Sequence, residues 1–440
     1  MCRRVLRFLL GAAWRLGPAC TMGLASVGLG EAPALGPSVS VPASVVAIVC
    51  FPGDAADTVQ DLAAIERYRS AEDGVMHETL AIRDGRTLET LSRYHPRTGS
   101  LSNSISPGWY AQEPVIAVAT NLWQGYGCRV QIADHGLHVV DRSGALVREW
   151  ESIGLRHVQS LDFSASMRAG GAWLAAGALS STVAGGHETG VILVSAAADV
   201  ELILRSGSSW FAACFAGDAN GDGVDDIAVL HQARSFARDS RLVLHDGSTL
   251  AVLWDVATVA GPDARLKRLV DVTGDRLEDL AVSWPGAPDA SSLQLAAGMV
   301  SVYSAADGRQ VWSRTGESGG GQFGWSLCVV DDQDGDGVND LLCSNPDGFL
   351  APDGPPNGDD SHVAILSGST GAELSRLSPA VAGRGFGAAL AVQGGRVGCS
   401  EFVVSTYRRM EPARGSLSRY GRLVEAVPAE DAARPPGGDL

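Results

Sequence analysis

One pattern returns seven times along the chain: a short β-rich run, a turn of Gly, Asp or Ser, and a second run that often ends in Trp or Leu. It reads LAIRDGRTLETL from Leu80, HVVDRSGALVREW from His138, ILVSAAADVELIL from Ile192 and LVLHDGSTLAVLW from Leu242. It continues as SVYSAADGRQVW from Ser301, AILSGSTGAELSRL from Ala364 and, more weakly, SLSRYGRLVEAV from Ser416. Polarity alternates on either side of each turn, as in a half-buried β-hairpin. A lone hairpin cannot bury its apolar face. Copies spaced 50 to 63 residues apart must therefore bury it against one another, and radial repetition fits that spacing.

A second pair of apolar runs precedes most hairpins: FAACFA and DIAVL, KRLVDV and DLAVSW, SLCVV and DLLCS. Two hairpins per repeat make four antiparallel strands. The expected fold is all-β, a seven-bladed β-propeller of four-stranded antiparallel blades over residues 39–428, with repeats clearest at 209–256, 265–315 and 322–378. The stretch DTVQDLAAIERYR (57–69) reads differently. Asp57 and Gln60 are spaced as a capping box, which predicts a helix inserted in the first blade. Trp150, Trp254 and Trp312 close hairpins and are expected in the blade core.

Three repeats carry an acidic loop between their first two strands. The loops align as Asp218-x-Asn220-x-Asp222-Gly-x-x-Asp226, Asp271-x-Thr273-x-Asp275-Arg-x-x-Asp279 and Asp332-x-Asp334-x-Asp336-Gly-x-x-Asp340. On a tightly curled loop, oxygens at positions 1, 3, 5 and 9 point at one centre, and the backbone carbonyl at position 7 (Val224, Leu277 or Val338) joins them. Ca²⁺ takes six to eight hard oxygens in a forgiving geometry, whereas Mg²⁺ demands a stricter octahedron. A bound ion would also remove the repulsion among the carboxylates. An EF-hand is excluded, because position 12 is Val229, Val282 or Cys343 and the flanks read as strands.

The third loop has four carboxylates and the others three each. In the second, Arg276 stands at position 6, where the turn favours positive φ at a cost of about 1 kcal/mol to a non-Gly residue. The expected order of calcium affinity is third, first, second.

Phe323-Gly324 and Phe386-Gly387 supply an FG element, and Gly286-Ala287-Pro288 a GAP element. Together with the Asp-x-Asp-x-Asp-Gly-x-x-Asp spacing, these make the chain resemble the FG-GAP repeats of integrin α-subunit N-terminal propellers. Bacterial FG-GAP and VCBS-type repeat proteins are similar. The likeness is strongest over 209–378. Elsewhere LDFSASMRAGG keeps Asp162, Ser164 and Ser166 but has Gly170 in place of the last carboxylate, and ALAVQGGRVGCSEFVV has lost the acids. The resemblance implies a seven-bladed propeller with calcium in loops on one face.

The formal net charge of −16 argues against a nucleic-acid or anionic-membrane surface and suits a protein that holds cations. Residues 1–38 begin MCRRVLRFLLGAAWRLGPAC, a basic start followed by an apolar stretch, as in an export leader. Arg15 interrupts the apolar run, so no permanent membrane span is expected. The expected destination is secreted, periplasmic or cell-surface, and residues 429–440 read as a disordered tail.

The eight cysteines include no C-x-x-C pair, which argues against a thiolate zinc site. There is no H-E-x-x-H, G-x-S-x-G or P-loop motif. Gly319, Gly321 and Gly324 spell G-x-G-x-x-G, but a strand rather than a helix follows. The expectation is a non-enzymatic module for a protein or glycan ligand. A carbohydrate- or lipid-active enzyme and a purely structural repeat remain as alternatives.

In an antiparallel blade, loops 1–2 and 3–4 share a face. The acidic loops and the Asp/Gly turns therefore lie together, and long irregular loops fall on the opposite face, the expected place for recognition. Trp123, Tyr126, Phe236, Trp284 and Phe349 are the exposed aromatic candidates there.

Overall fold

The alternating runs become strands in the computed structural model, which describes residues 39–41, 44–51, 60–69, 76–97, 100–124, 131–167, 171–179, 188–195, 200–206, 210–232, 240–261, 264–288, 297–317, 321–346, 361–378, 385–393, 401–406 and 415–420. The leader and the C-terminal tail lie outside these residues. Strand β1 (Val39–Val41) comes first. Next, β2 (Ser44–Phe51), β3 (Asp61–Arg69), β4 (Met76–Arg83) and β5 (Thr90–Tyr94) form a four-stranded sheet.

A seven-stranded sheet follows, made of β6 (Ser100–Tyr110), β7 (Glu113–Gln124), β8 (Gln131–Val140), β9 (Leu146–Ser164), β10 (Ala172–Leu179), β11 (Thr189–Ser195) and β12 (Val200–Ser206). Three regular quartets come after it. The first is β13 (Trp210–Phe215), β14 (Ile227–Gln232), β15 (Ser240–His245) and β16 (Val252–Thr258). The second is β17 (Arg265–Arg268), β18 (Leu280–Trp284), β19 (Met299–Tyr303) and β20 (Gln310–Thr315). The third is β21 (Leu327–Val330), β22 (Asp340–Asn345), β23 (His362–Leu366) and β24 (Glu373–Leu377). The last sheet joins β25 (Phe386–Gln393), β26 (Glu401–Thr406) and β27 (Gly415–Tyr420) to β1. All of these pairings are antiparallel, and no helix occurs among the described residues.

The innermost strands meet around an axis: β2 packs on β6 and β25, β9 on β6 and β13, β13 on β17, and β21 on β25. Lys267 Nζ donates to Leu327 O at 2.6 Å and Arg265 donates to Trp325 O, which ties β17 to β21. Gln393 Nε2 donates to Gln60 O at 2.8 Å and Gly85 O at 3.0 Å, joining the last sheet to the first. The arrangement is a β-propeller of six sheets.

Apolar clusters fill the gaps between neighbouring sheets. One sets Leu230 and Leu244 against Leu266, Val282 and Trp284; another sets Val300 and Trp312 against Leu341 and Leu366. One further cluster lies inside the seven-stranded sheet, whose two halves fold together over Leu137, Trp150, Trp173 and Val194.

Three expectations are corrected. The seven separate blades become six sheets, because no turn interrupts the chain between Leu146 and Ser164. The first half of β9 pairs with β8 and its second half with β10, so one strand serves two quartets. Gly154, with φ of +77°, lets the strand change direction between them. The predicted helix at 57–69 is instead strand β3 over its described part. Leu62, Ala63, Ala64 and Ile65 are all fully buried between β2 and β4, and periodicity cannot separate such a strand from a buried helix. Over its described residues the copy from Ser416 is strand β27, whose outer partner is β1 from the other end of the chain.

Cys214, Cys328 and Cys343 are buried free thiols. Cys328 faces Leu342 across the ladder and Cys343 faces Leu327, and the two thiols sit in different apolar clusters, so they cannot bridge. Burial holds the Cys214 and Cys343 thiols well above the usual thiol range.

His231 on β14 offers a pH test. Burial, with the nearby His245 and Arg241, lowers its pKa to about 4. The folded state therefore holds the ring neutral, and its contribution is present above the unfolded value of about 6.5 and is lost as pH falls toward 4. His231→Gln is expected to lose about 1 kcal/mol less than the unaltered protein between pH 7 and pH 5, measured by urea unfolding at the two pH values.

Candidate metal centre

Each acidic loop ends on an Asp at the start of the second strand of its sheet or immediately before it, and that residue is anchored before any ion is considered. Asp226, Asp279 and Asp340 are fully buried. One oxygen of each accepts the backbone N–H at loop position 2: Ala219 at 2.9 Å, Val272 at 2.7 Å and Gln333 at 2.6 Å. The other accepts an N–H from the turn of the same sheet's outer hairpin: Gly247 at 2.9 Å, Ala305 at 3.3 Å and Gly368 at 3.0 Å. The carboxylate thus clamps loop 1–2 to turn 3–4.

Preceding sheets grip the same turns. Trp254 Nε1 donates to Ala305 O and Trp312 Nε1 to Gly368 O, both at 2.7 Å. The approach needs glycine: a Cβ at 247 would lie 2.0 Å from Asp225 O, and one at 368 would lie 1.9 Å from Asn339 O.

Position 1 organises the curl. Asp332 Oδ1 accepts Gly335 N at 2.6 Å and its Oδ2 accepts Gly337 N at 2.8 Å. Asp218 holds Gly221 and Gly223 in the same way at 2.7 Å each, and Asp271 holds Gly274 at 2.6 Å and Arg276 at 2.7 Å. Position 5 accepts the N–H of position 7: Val224 to Asp222 at 2.9 Å, Leu277 to Asp275 and Val338 to Asp336 at 2.8 Å each. At position 6, Gly223 and Gly337 have φ of +88°, and Arg276 is forced to +73°. The strain expected at Arg276 is present.

Only the third loop gathers three carboxylates among the described residues. Oxygens of Asp332, Asp334 and Asp340 lie within 4.8 Å of one another, a group that could hold a metal ion. Asp336 turns instead to the neighbouring hairpin, where Ser369 Oγ donates to its Oδ2 at 2.6 Å. In the first loop Asn220 stands at position 3 and its Nδ2 donates to Asp246 Oδ2 at 3.0 Å. In the second, position 3 is Thr273, whose hydroxyl lies 3.4 Å from Asp271 Oδ1. Both loops therefore lack the position-3 acid that completes the third.

Electrostatics mark the same centre. Burial pushes the Asp340 carboxyl up to about 6 against the N–H groups of Gly368 and Gln333, and the charges of Asp334 and Asp332 raise it further. Burial likewise raises Asp279 to about 6, and raises Asp226. Burial also opposes ionisation of Asp332, but the N–H groups of Gly337, Gly335 and Asp336 outweigh it and hold that carboxyl below the usual range. A cation would offset the penalty at Asp340. The donors are all hard oxygens, and this chemistry fits calcium.

The degenerate loop after Asp162 has a different use. Ser164 Oγ donates to Asp225 Oδ2 at 2.7 Å, Ser166 Oγ accepts Asp225 N at 3.0 Å, and Asp162 Oδ2 accepts Phe215 N at 3.0 Å. It docks on the first acidic loop.

The aromatic candidates fare unevenly. Trp284 is 3% exposed and packs in the core, its ring so close to Gly261 that a Cβ there would lie 2.4 Å away. It is a core residue rather than a recognition residue, because β18 delivers it between two sheets. Tyr126, Phe236, Phe349 and the side chain of Trp123 lie outside the described residues. A described cavity of about 790 Å³ opens on the face of the acidic loops, not the opposite one.

Sequence reading missed a fourth clamp. Asp61 is fully buried, accepts Gly85 N at 2.9 Å on Oδ1, and pairs with Arg142 through Oδ2. Its signal is the run Asp-Leu-Ala, shared with Asp279 and close to Asp226-Ile-Ala and Asp340-Leu-Leu.

Two substitutions separate clamp from strain. Asp61→Ala is expected to cost about 3 kcal/mol, since it removes the buried acceptor of the Gly85 N–H and the Asp61–Arg142 ion pair. Arg276→Gly is expected to gain about 1 kcal/mol by relieving positive φ. Urea unfolding reads both. No protein-family profile matches the chain, and no curated protein matches it, so the geometry of the loops carries the functional reading by itself.

Proposed function

We propose that the protein is an exported, calcium-stabilised β-propeller that presents a binding surface to a protein or glycan, as an adhesion or envelope scaffold module. The observation that carries this is the convergence of Asp332, Asp334 and Asp340 within 4.8 Å on a loop whose spacing occurs three times. Repetition matters because a single acidic turn is common and three at matching positions are not. The surplus of negative charge and the basic, apolar leader agree with an exported cation-binding protein. Among the described residues no helix is long and apolar enough to cross a membrane.

Calcium here would have a structural role. Each ion would pin loop 1–2 at the point where the position-9 Asp already ties it to the outer hairpin. The first and second loops would bind more weakly than the third, through Asp218, Asn220 and Asp222 and through Asp271, Thr273 and Asp275 with their clamps. Extracellular sites of this kind bind at about 10⁻⁴ to 10⁻³ M. At tenfold excess over Kd, each filled site would add about 1.4 kcal/mol of stability.

Calcium titration followed by calorimetry and thermal unfolding tests this. The melting temperature should rise with calcium and fall with chelator, and Asp334→Asn should remove the tightest site while leaving the ion-free melting temperature near that of the unaltered protein. A melting temperature indifferent to millimolar calcium would remove the basis of the proposal.

A further inference from the structure

The cavity on the acidic-loop face lies where the inner strands end, and its volume of about 790 Å³ falls in the range of small-ligand sites, about 300–1,000 Å³. Its wall is assembled from several sheets: Trp109 on β6, Asp162 and Phe163 on β9, Asp225 from the first acidic loop, Arg268 on β17 and Glu278 from the second. None of these residues was singled out for ligand binding by the sequence.

Two features narrow the chemistry of an occupant. The polar groups are held in position by neighbours. Arg268 Nη1 lies 3.2 Å from Glu278 Oε2 and 4.0 Å from Asp225 Oδ2, while Ser164 holds Asp225 and the Phe215 N–H holds Asp162. Each carboxylate still has acceptor capacity, since two oxygens offer about four lone-pair sites. A guanidinium flanked by carboxylates presents donors and acceptors side by side, which suits adjacent hydroxyl groups, since each hydroxyl both donates and accepts. The second feature is Trp109, which remains 42% exposed on an inner strand at the cavity wall. An indole in that position offers a flat apolar platform beside the polar cluster.

Other occupants fit less well. An anion would meet Asp162, Asp218, Asp225 and Glu278 against two arginines, Arg268 and Arg276. Asp162, Asp225 and Glu278 do not form a group of three close carboxylates that could hold an ion within the cavity itself, the one such group among the described residues being in the third loop. A cationic group would compete with Arg268, which already sits between Glu278 and Asp225.

We propose that this cavity binds one neutral saccharide unit, with Trp109 stacking on the sugar ring and Asp225, Glu278 and Arg268 holding its hydroxyls. The inference rests on the glycan half of the functional reading and does not require calcium in the loops.

The test uses the full chain, with tryptophan fluorescence and calorimetry against a panel of neutral hexoses, N-acetylhexosamines and their disaccharides, and arginine methyl ester as the cationic competitor. Trp109→Ala and Glu278→Gln are carried alongside, with unfolding curves to establish that both fold. Saturable saccharide binding that weakens about tenfold in each variant is the expected result. Saccharide binding that is equal in both variants overturns the cavity assignment and leaves the glycan reading intact. Failure of the unaltered protein to bind any saccharide, or saturable binding of arginine methyl ester alone, overturns both.

Discussion

A buried carboxylate with both oxygens occupied by backbone N–H groups is the joint on which the three regular sheets of this molecule depend. Asp226, Asp279 and Asp340 each tie the first loop of a sheet to its outer turn, and Trp254 and Trp312 bind two of those turns to the sheet before. The result is a continuous chain of contacts, from the outer strand of one sheet through a turn to the inner loop of the next. Ionising these carboxyls inside the protein is unfavourable, as the raised Asp279 and Asp340 values show. A cation placed beside them would make the joint stronger, and at Asp340 the structural joint coincides with a carboxylate group that could hold one.

Features set by neighbours in sequence were legible. The hairpin turns and the positive φ at Arg276 follow from residues within a few positions of one another, and the structure places both as expected, whereas of the acidic spacing it gathers only positions 1, 3 and 9 of the third loop. Features set by tertiary surroundings were not. The segment from Asp61 to Glu66 has no alternation because it is buried on both faces, so it resembled a helix, and the clamp at Asp61 was hidden inside that misreading. Trp284 looked like a loop residue beside PGAP, yet it fills the space left by Gly261. The cavity brings Trp109 together with Asp162, Asp225, Arg268 and Glu278 from distant repeats, and no local pattern announces such a meeting.

Degeneration of a repeat did not leave it idle. The loop after Asp162 lost its final acid but kept Ser164 and Ser166, and both now hold Asp225 of the next loop. Glu66 shows a related solution in the first sheet, where it is buried and paired with Arg83 and Arg93. Where the regular clamp pattern weakens, charged side chains from neighbouring strands take over the task of holding turns and sheets in register.

The pairing of β1 with β27 has a consequence for biogenesis. The last sheet cannot be completed until the final strand has been synthesised and has met one made at the outset, so ring closure is the contact of greatest sequence separation and belongs late in folding. A chain with this topology keeps its ring open until nearly all of it has been made.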